Sequence, residues 1–287
     1  MGGMRLPLLA LAALIAAQEP AKVPLAWTLK KGDKFRCEVG LAQSGTMGTV
    51  VSKSVLTFTL GLEVGEAGKD GQADVKATYE RIRFSISSHS NKDFALDSDQ
   101  KEDPAIEPDK RVVLHLKGKT ITLKFGPKGL AQVMGLADAL RAAYKSIGAP
   151  DDKPPGKSEP IAISFEQVLR INFPGAPDSP VSPGEGWPES LTFDRMSLSG
   201  ATIKDLATVK TLEKGRATIN HKLTIEPSPE RKPGIVEVTG EGTTLWNLER
   251  AMPESHEMVI KVRGKDIDQP RFEEHRFTLK LEPREKK

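Results

Sequence analysis

Leu130-Ala131-Gln132-Val133-Met134-Gly135-Leu136-Ala137-Asp138-Ala139-Leu140-Arg141-Ala142-Ala143-Tyr144-Lys145-Ser146-Ile147 is the longest helical pattern in a chain that otherwise reads as strands. Leu130, Val133, Met134, Ala137, Leu140, Tyr144 and Ile147 recur three or four apart, which places them on one stripe of an α-helix. Gln132, Asp138, Arg141 and Lys145 fall on the other side. Gly126-Pro127-Lys128-Gly129 marks a start, and Gly148 with Pro150 beyond it a stop. Such a stripe needs a partner, and the β-rich sequence on both sides supplies one.

The strands are legible from period-two alternation. Leu25, Trp27 and Leu29 alternate with polar neighbours, and Phe35 to Leu41 follows after a turn. Leu56, Phe58, Leu60, Leu62 and Val64 hold strict alternation. Between Ala73 and Ser87 the apolar parity changes, from Ala73, Val75, Ala77 and Tyr79 to Ile82, Phe84 and Ile86. A β-bulge does this, bending the strand and strengthening its twist. Val112, Leu114 and Leu116 face Ile121, Leu123 and Phe125 across a predicted hairpin turn. Phe165, Val168, Leu169 and Phe173 predict a short second helix. Ala217 to Ile225 is a further strand, Gly240 and Gly242 mark a second bend, and Met258–Val262 pairs with Phe277–Leu281. Residues 149–160 and 174–188 are proline-rich and predicted to be loops. The expected fold is α+β and mainly β: a curved, half-barrel-like antiparallel sheet packed on one central amphipathic helix.

Residues 6–17 (LPLLALAALIAA) follow Arg5 and precede Gln18-Glu19-Pro20. The run is short for a membrane span and fits a secretory signal peptide over 1–17, leaving one β-rich domain over 18–287. The expected location is the periplasm or the extracellular space. With 42 basic and 39 acidic residues interleaved, the chain has no basic stripe with aromatic partners, which argues against nucleic-acid binding. Cys37, the single cysteine, excludes an intramolecular disulfide and reads as a core residue.

Catalytic signatures are missing from the sequence. None of His89, His115, His221, His256 and His275 has a second His or Cys at ligand spacing, and there is no nucleophile elbow or phosphate loop. His221, on an apolar strand face, reads as a core histidine. Asp97, Asp99 and Glu102 put oxygen ligands close together, yet the loop lacks the glycine and terminal Glu of a calcium loop, so an exposed acidic turn is expected. No cofactor is expected.

The leader, Trp27-Thr28-Leu29-Lys30-Lys31-Gly32-Asp33-Lys34-Phe35, Leu96-Asp97-Ser98, Gly129-Leu130 and Val181-Ser182-Pro183-Gly184-Glu185-Gly186-Trp187 together resemble an uncharacterised family of exported proteins of planctomycete-type bacteria. That resemblance implies export and brings no activity or site residues with it. The strand–helix–strand plan also looks like periplasmic lipoprotein carriers, a likeness of fold alone. The expected function is therefore non-enzymatic: binding an apolar small molecule or a lipidated protein on the concave side of the sheet. The helix face Val133, Met134, Ala137, Leu140 and Tyr144 is the candidate lining. The alternative is an envelope interaction module with no ligand.

Overall fold

The computed structural model describes residues 22–68, 71–88, 91–101, 112–148, 160–193, 201–226, 235–266 and 269–284. The leader, Glu102 and most of 149–160 lie outside them. Twelve strands form one antiparallel sheet: β1 (Lys34–Met47), β2 (Val50–Ala67), β3 (Ala73–Ser88), β4 (Asn91–Asp97), β5 (Thr120–Gly126), β6 (Gly129–Met134), β7 (Gly186–Phe193), β8 (Ala201–Glu213), β9 (Arg216–Glu226), β10 (Ile235–Asn247), β11 (Met252–Asp266) and β12 (Gln269–Pro283). Their order is β6-β5-β3-β2-β1-β12-β11-β10-β9-β8-β7, with β4 on the far half of β3. The sheet is not closed into a barrel. Among the described residues two α-helices accompany it, α1 (Leu136–Ser146) and α2 (Pro160–Asn172).

One set of ring contacts shows how strongly the sheet curves. Trp27 lies 4.9 Å from Phe125 on β5 and 5.7 Å from Trp246 on β10, so these two rings sit within about 11 Å of each other. Six inter-strand steps separate β5 from β10, about 29 Å in a flat sheet. The sheet must therefore wrap. The expected bulge contributes: the β2–β3 register shifts between Thr59/Leu60, opposite Arg81 and Tyr79, where the parity changes.

The segment around Trp27 straps the two arms together. The Trp27 N–H donates to Pro127 O in the β5–β6 turn, the Thr28 N–H to Ala251 O in the β10–β11 turn, and Val23 bridges Val181. Leu25, Trp27 and Leu29 thus do not form the strand that their alternation suggested.

Several other expectations are corrected. Residues 130–147 are not one helix. Leu130, Val133 and Met134 belong to β6, paired with β5, and α1 begins at Leu136. Gly135 has φ +78°, a left-handed conformation that no right-handed helix can contain. The central helix is α2, expected to be the minor one. Its Phe165, Val168, Leu169 and Asn172 recur at helical spacing and are fully buried, while Glu166 and Arg170 pair on the outer side. The predicted 112–125 hairpin is absent, because Leu114–Leu116 is a single 3-10 turn and β5 pairs with β3 instead. Residues 186–188 open β7, where Pro188 is tolerated on an edge strand. Ala176, Val181 and Ser182 in the same proline-rich stretch are buried rather than on the surface. Gly240 and Gly242 mark no register shift; a Cβ at Gly242 would lie 2.6 Å from Glu257 O, so this glycine serves close strand approach.

Candidate functional site

The concave face is built by alternate residues of every long strand, so its character can be followed from one end to the other. At one end Trp27, Phe125, Phe173 and Trp246 form an aromatic plug. The Trp27 indole donates to Pro174 O at 3.0 Å. In the middle α2 fills the trough, with Phe165 stacked on Phe58 at 4.4 Å between ring centroids. Asn172 Nδ2 donates to Val168 O at 2.7 Å and lies 3.4 Å from Gly40 O, pinning the helix end to β1.

Toward the other end burial fades. Ile82 and Leu56 are buried, but Phe84, Ile86 and Phe94, further along the same face of β3 and β4, are only half-buried, with Phe84 and Phe94 edge to face at 5.7 Å. Beside them the inner face turns polar. Ser54 Oγ donates to Gln43 Oε1 at 3.2 Å, Gln43 Nε2 lies 3.0 Å from His275 Nδ1, and His275 Nε2 lies 3.2 Å from Glu273, which also accepts from Arg271 Nε at 2.6 Å. This end combines an apolar patch with a polar margin.

A second polar row lies inside the other arm. Asp205, His221, Thr244 and His256 come from β8, β9, β10 and β11 and are all buried. His221 Nδ1 is 2.6 Å from Asp205 Oδ2, His221 Nε2 is 2.8 Å from Thr244 Oγ1, and Thr244 Oγ1 is 2.8 Å from His256 Nδ1. Gly242 is paired with His221 in the β9–β10 ladder. Burial, with His221 alongside, holds the His256 ring well below the usual histidine range, at about 3. Glu189 accepts from Trp187 Nε1 at 2.8 Å and from the Gly175 N–H at 3.2 Å, and burial pushes its carboxyl above the usual range. The carboxylate–imidazole–hydroxyl order matches a hydrolytic triad. Thr244 is completely inaccessible, however, so a substrate carbonyl has no approach to its hydroxyl. The row is a clasp across four strands.

The residues singled out from sequence disperse. Leu140 and Tyr144 are buried on α1, whereas Ala137 on the same helix is exposed. Val133 is half-buried and Met134 exposed on β6, so the five do not share a helix face. Asp97 is held by Arg81, which draws its carboxyl down to about 2, and Asp99 pairs with Arg81 and Lys117. Glu102 lies outside the described residues, among which no three His, Cys, Asp or Glu side chains converge as a metal site. His115 meets Ser146 at 2.8 Å. Cys37 is buried, and its thiol is pushed up by burial. Phe84 and Ile86 were legible in the even-parity half of β3. Asp205 and Thr244 carried no signal beyond lying on strands near His221.

Fold and site define an open, strongly curved antiparallel sheet wrapped on a buried helix, plugged at one end and amphipathic at the other. No protein-family model matches the sequence, and no curated protein matches it. Among solved structures the chain is similar to lipovitellin, in a study titled for its lipid–protein interactions (TM-score 0.49, 10% identity, 88% of this chain and 25% of that one). It is similar also to an outer membrane channel of Pseudomonas putida F1 (TM-score 0.26, 8% identity, 92% and 98%). OccK7 of Pseudomonas aeruginosa is a third (TM-score 0.24, 6% identity, 88% and 100%). This chain spans about a quarter of the lipovitellin chain. With TM-scores below 0.5, these likenesses carry no functional assignment.

Proposed function

We propose that this is an exported, non-enzymatic binding protein that takes an apolar small molecule or a lipidated partner at the unplugged end of its concave face. The signal peptide over 1–17, a single domain over 18–287 and membership of the exported family resembled by its motifs are parts of the same proposal. The observation that supports it is the change along one face: apolar side chains fully buried beneath α2 give way to the half-buried Phe84, Ile86 and Phe94. Contiguous half-buried apolar side chains of this kind are what an apolar ligand can cover. The mutually hydrogen-bonded margin of Gln43, His275, Glu273 and Arg271 gives that end a polar rim beside the apolar patch.

The test is native mass spectrometry of the protein purified gently from its envelope fraction. A discrete added mass, removed by organic extraction and lost in Ile86→Asp, is the expected result. An unliganded mass in every preparation overturns the carrier function and leaves an interaction module without ligand.

A further inference from the structure

A depression at the plugged end, at the opposite end of the strands from the half-buried apolar patch, has no part in ligand binding on the concave face. It lies where the strap, the β10–β11 turn and the adjoining ends of β1 and β12 meet. Its volume is about 330 Å³, at the lower end of the range for small-molecule sites. Main-chain hydrogen bonds fix its walls: the Thr28 N–H donates to Ala251 O at 3.1 Å, and the Arg284 N–H to Lys34 O at 2.8 Å. The buried side chains of Phe35 and Met252 give it an apolar lining.

The charged lining is uneven once each group's partner is followed. Lys34 pairs with Glu63 at 3.3 Å, and Arg284 with Glu80. Asp33 Oδ2 accepts from the Lys30 N–H at 3.1 Å. Glu249 lies along the β8–β9 turn, where a Cβ on Gly215 would fall 3.6 Å from its carboxylate, and it interacts with Arg216. On the adjoining strands Glu254 is engaged by Arg216 and Glu282 by Lys280. Each of these carboxylates thus has an engagement of its own. The Lys30 ammonium and the Arg250 guanidinium, which also line the depression, have no ion pair or side-chain hydrogen bond among the described residues.

Both cations are carried on fixed backbone. The Asp33 N–H donates to Lys30 O at 3.0 Å, and the Arg250 N–H to Asn247 Oδ1 at 2.9 Å, just before Ala251, a non-glycine residue held at φ +52°. A guanidinium fork holds two oxygens in its plane, and an ammonium adds a point charge that follows a third. With apolar side chains beside them, the pair suits an anion that is only partly polar. We propose that this depression binds a small organic oxyanion, a phosphate or carboxylate group carried on a short apolar body, with Arg250 and Lys30 as its ligands.

Isothermal titration calorimetry of the full chain with phenyl phosphate and with benzoate, at low ionic strength, tests the site. At least one probe is expected to bind, one per chain. Lys30→Ala with Arg250→Ala should weaken that binding at least about tenfold, the loss of two charge-assisted hydrogen bonds, at unchanged Tm because both side chains are exposed. Lys222→Ala with Lys261→Ala, which removes the same charge at exposed positions on β9 and β11, is expected to leave binding as it was. Failure of both probes to bind overturns the proposal, as does an equal loss in the Lys222 and Lys261 variant. Co-sedimentation with phosphatidylcholine vesicles containing phosphatidic acid reads the source of the anion. Retention that is lost with Lys30 and Arg250 assigns it to a lipid headgroup, and phenyl phosphate binding without retention assigns it to a free solute. The concave face lies toward the other end of the strands, so an apolar ligand kept by the Lys30 and Arg250 variant in native mass spectra separates this proposal from the carrier function.

Discussion

Replacing Trp27 by Ala tests whether one side chain holds the curvature. The ring is 5% exposed and touches Phe125, Phe173 and Trp246, which belong to both arms of the sheet and to the residue after α2. Truncating a buried Trp costs about 3–5 kcal/mol, and three aromatic contacts place this site toward the upper half of that range. The loss of its N–H also leaves Pro174 O without this donor. At about 2–4 °C per kcal/mol for a chain of this size, the expected fall in Tm is about 8–20 °C. Trp27→Phe, which retains a ring and loses only the donor, should cost about 1–2 kcal/mol. Urea and thermal unfolding are best followed by far-ultraviolet circular dichroism, because Trp27 is itself one of three fluorophores. A Tm within about 2 °C of the parent for Trp27→Ala would refute the strap and assign the curvature to α2 alone.

Three further outcomes are expected. His256 is neutral in the fold down to about pH 3 but protonates near its ordinary value when unfolded. Between those limits the unfolded chain binds the extra proton, so stability falls on acidification by up to about 1.4 kcal/mol per pH unit; His256→Gln should flatten urea midpoints over that window. Asp97 shifts stability in the same direction at lower pH, its carboxyl being drawn down to about 2 by Arg81. Its contribution is present above the unfolded value and lost as pH falls toward 2, so the deficit of Asp97→Asn at neutral pH should disappear in midpoints measured near pH 2. Gly242→Ala would force a Cβ to 2.6 Å from Glu257 O and should cost about 1–3 kcal/mol by urea unfolding, with β10 or β11 displaced.

The sheet was legible because its core residues obey period two. Leu56 to Val64 and the parity change in β3 appear in the structure as the sequence has them, bulge included. The helices were less so. The stripe from Leu130 to Ile147 satisfied helical spacing across Gly135, but spacing cannot reveal that a glycine adopts φ +78°, and Leu130 and Val133 serve a strand equally well. In α2 the apolar residues run nearly all round, which weakens the amphipathic signal in the helix that is most buried. The polar row from Asp205 to His256 was invisible because four strands far apart in sequence supply one member each, and only the sheet order makes them neighbours. At the unplugged end, Phe84 and Ile86 were identified as apolar strand residues, while their partial exposure is set by tertiary packing that the alternation does not encode.

The strand order has a kinetic consequence. β1 and β12 lie side by side at the middle of the sheet, while β6 and β7, consecutive among the strands, occupy opposite edges. Each half is mostly a run of sequence-local hairpins, which close quickly. The seam from Phe35↔Pro283 to Met47↔Arg271 joins residues more than two hundred positions apart and carries the largest loop-closure cost of any ladder in the molecule. Refolding should therefore proceed by zipping two preformed halves. Substitutions along β1 and β12 would slow the rate, whereas equally destabilising ones in β8 or β9 would act mainly by hastening unfolding.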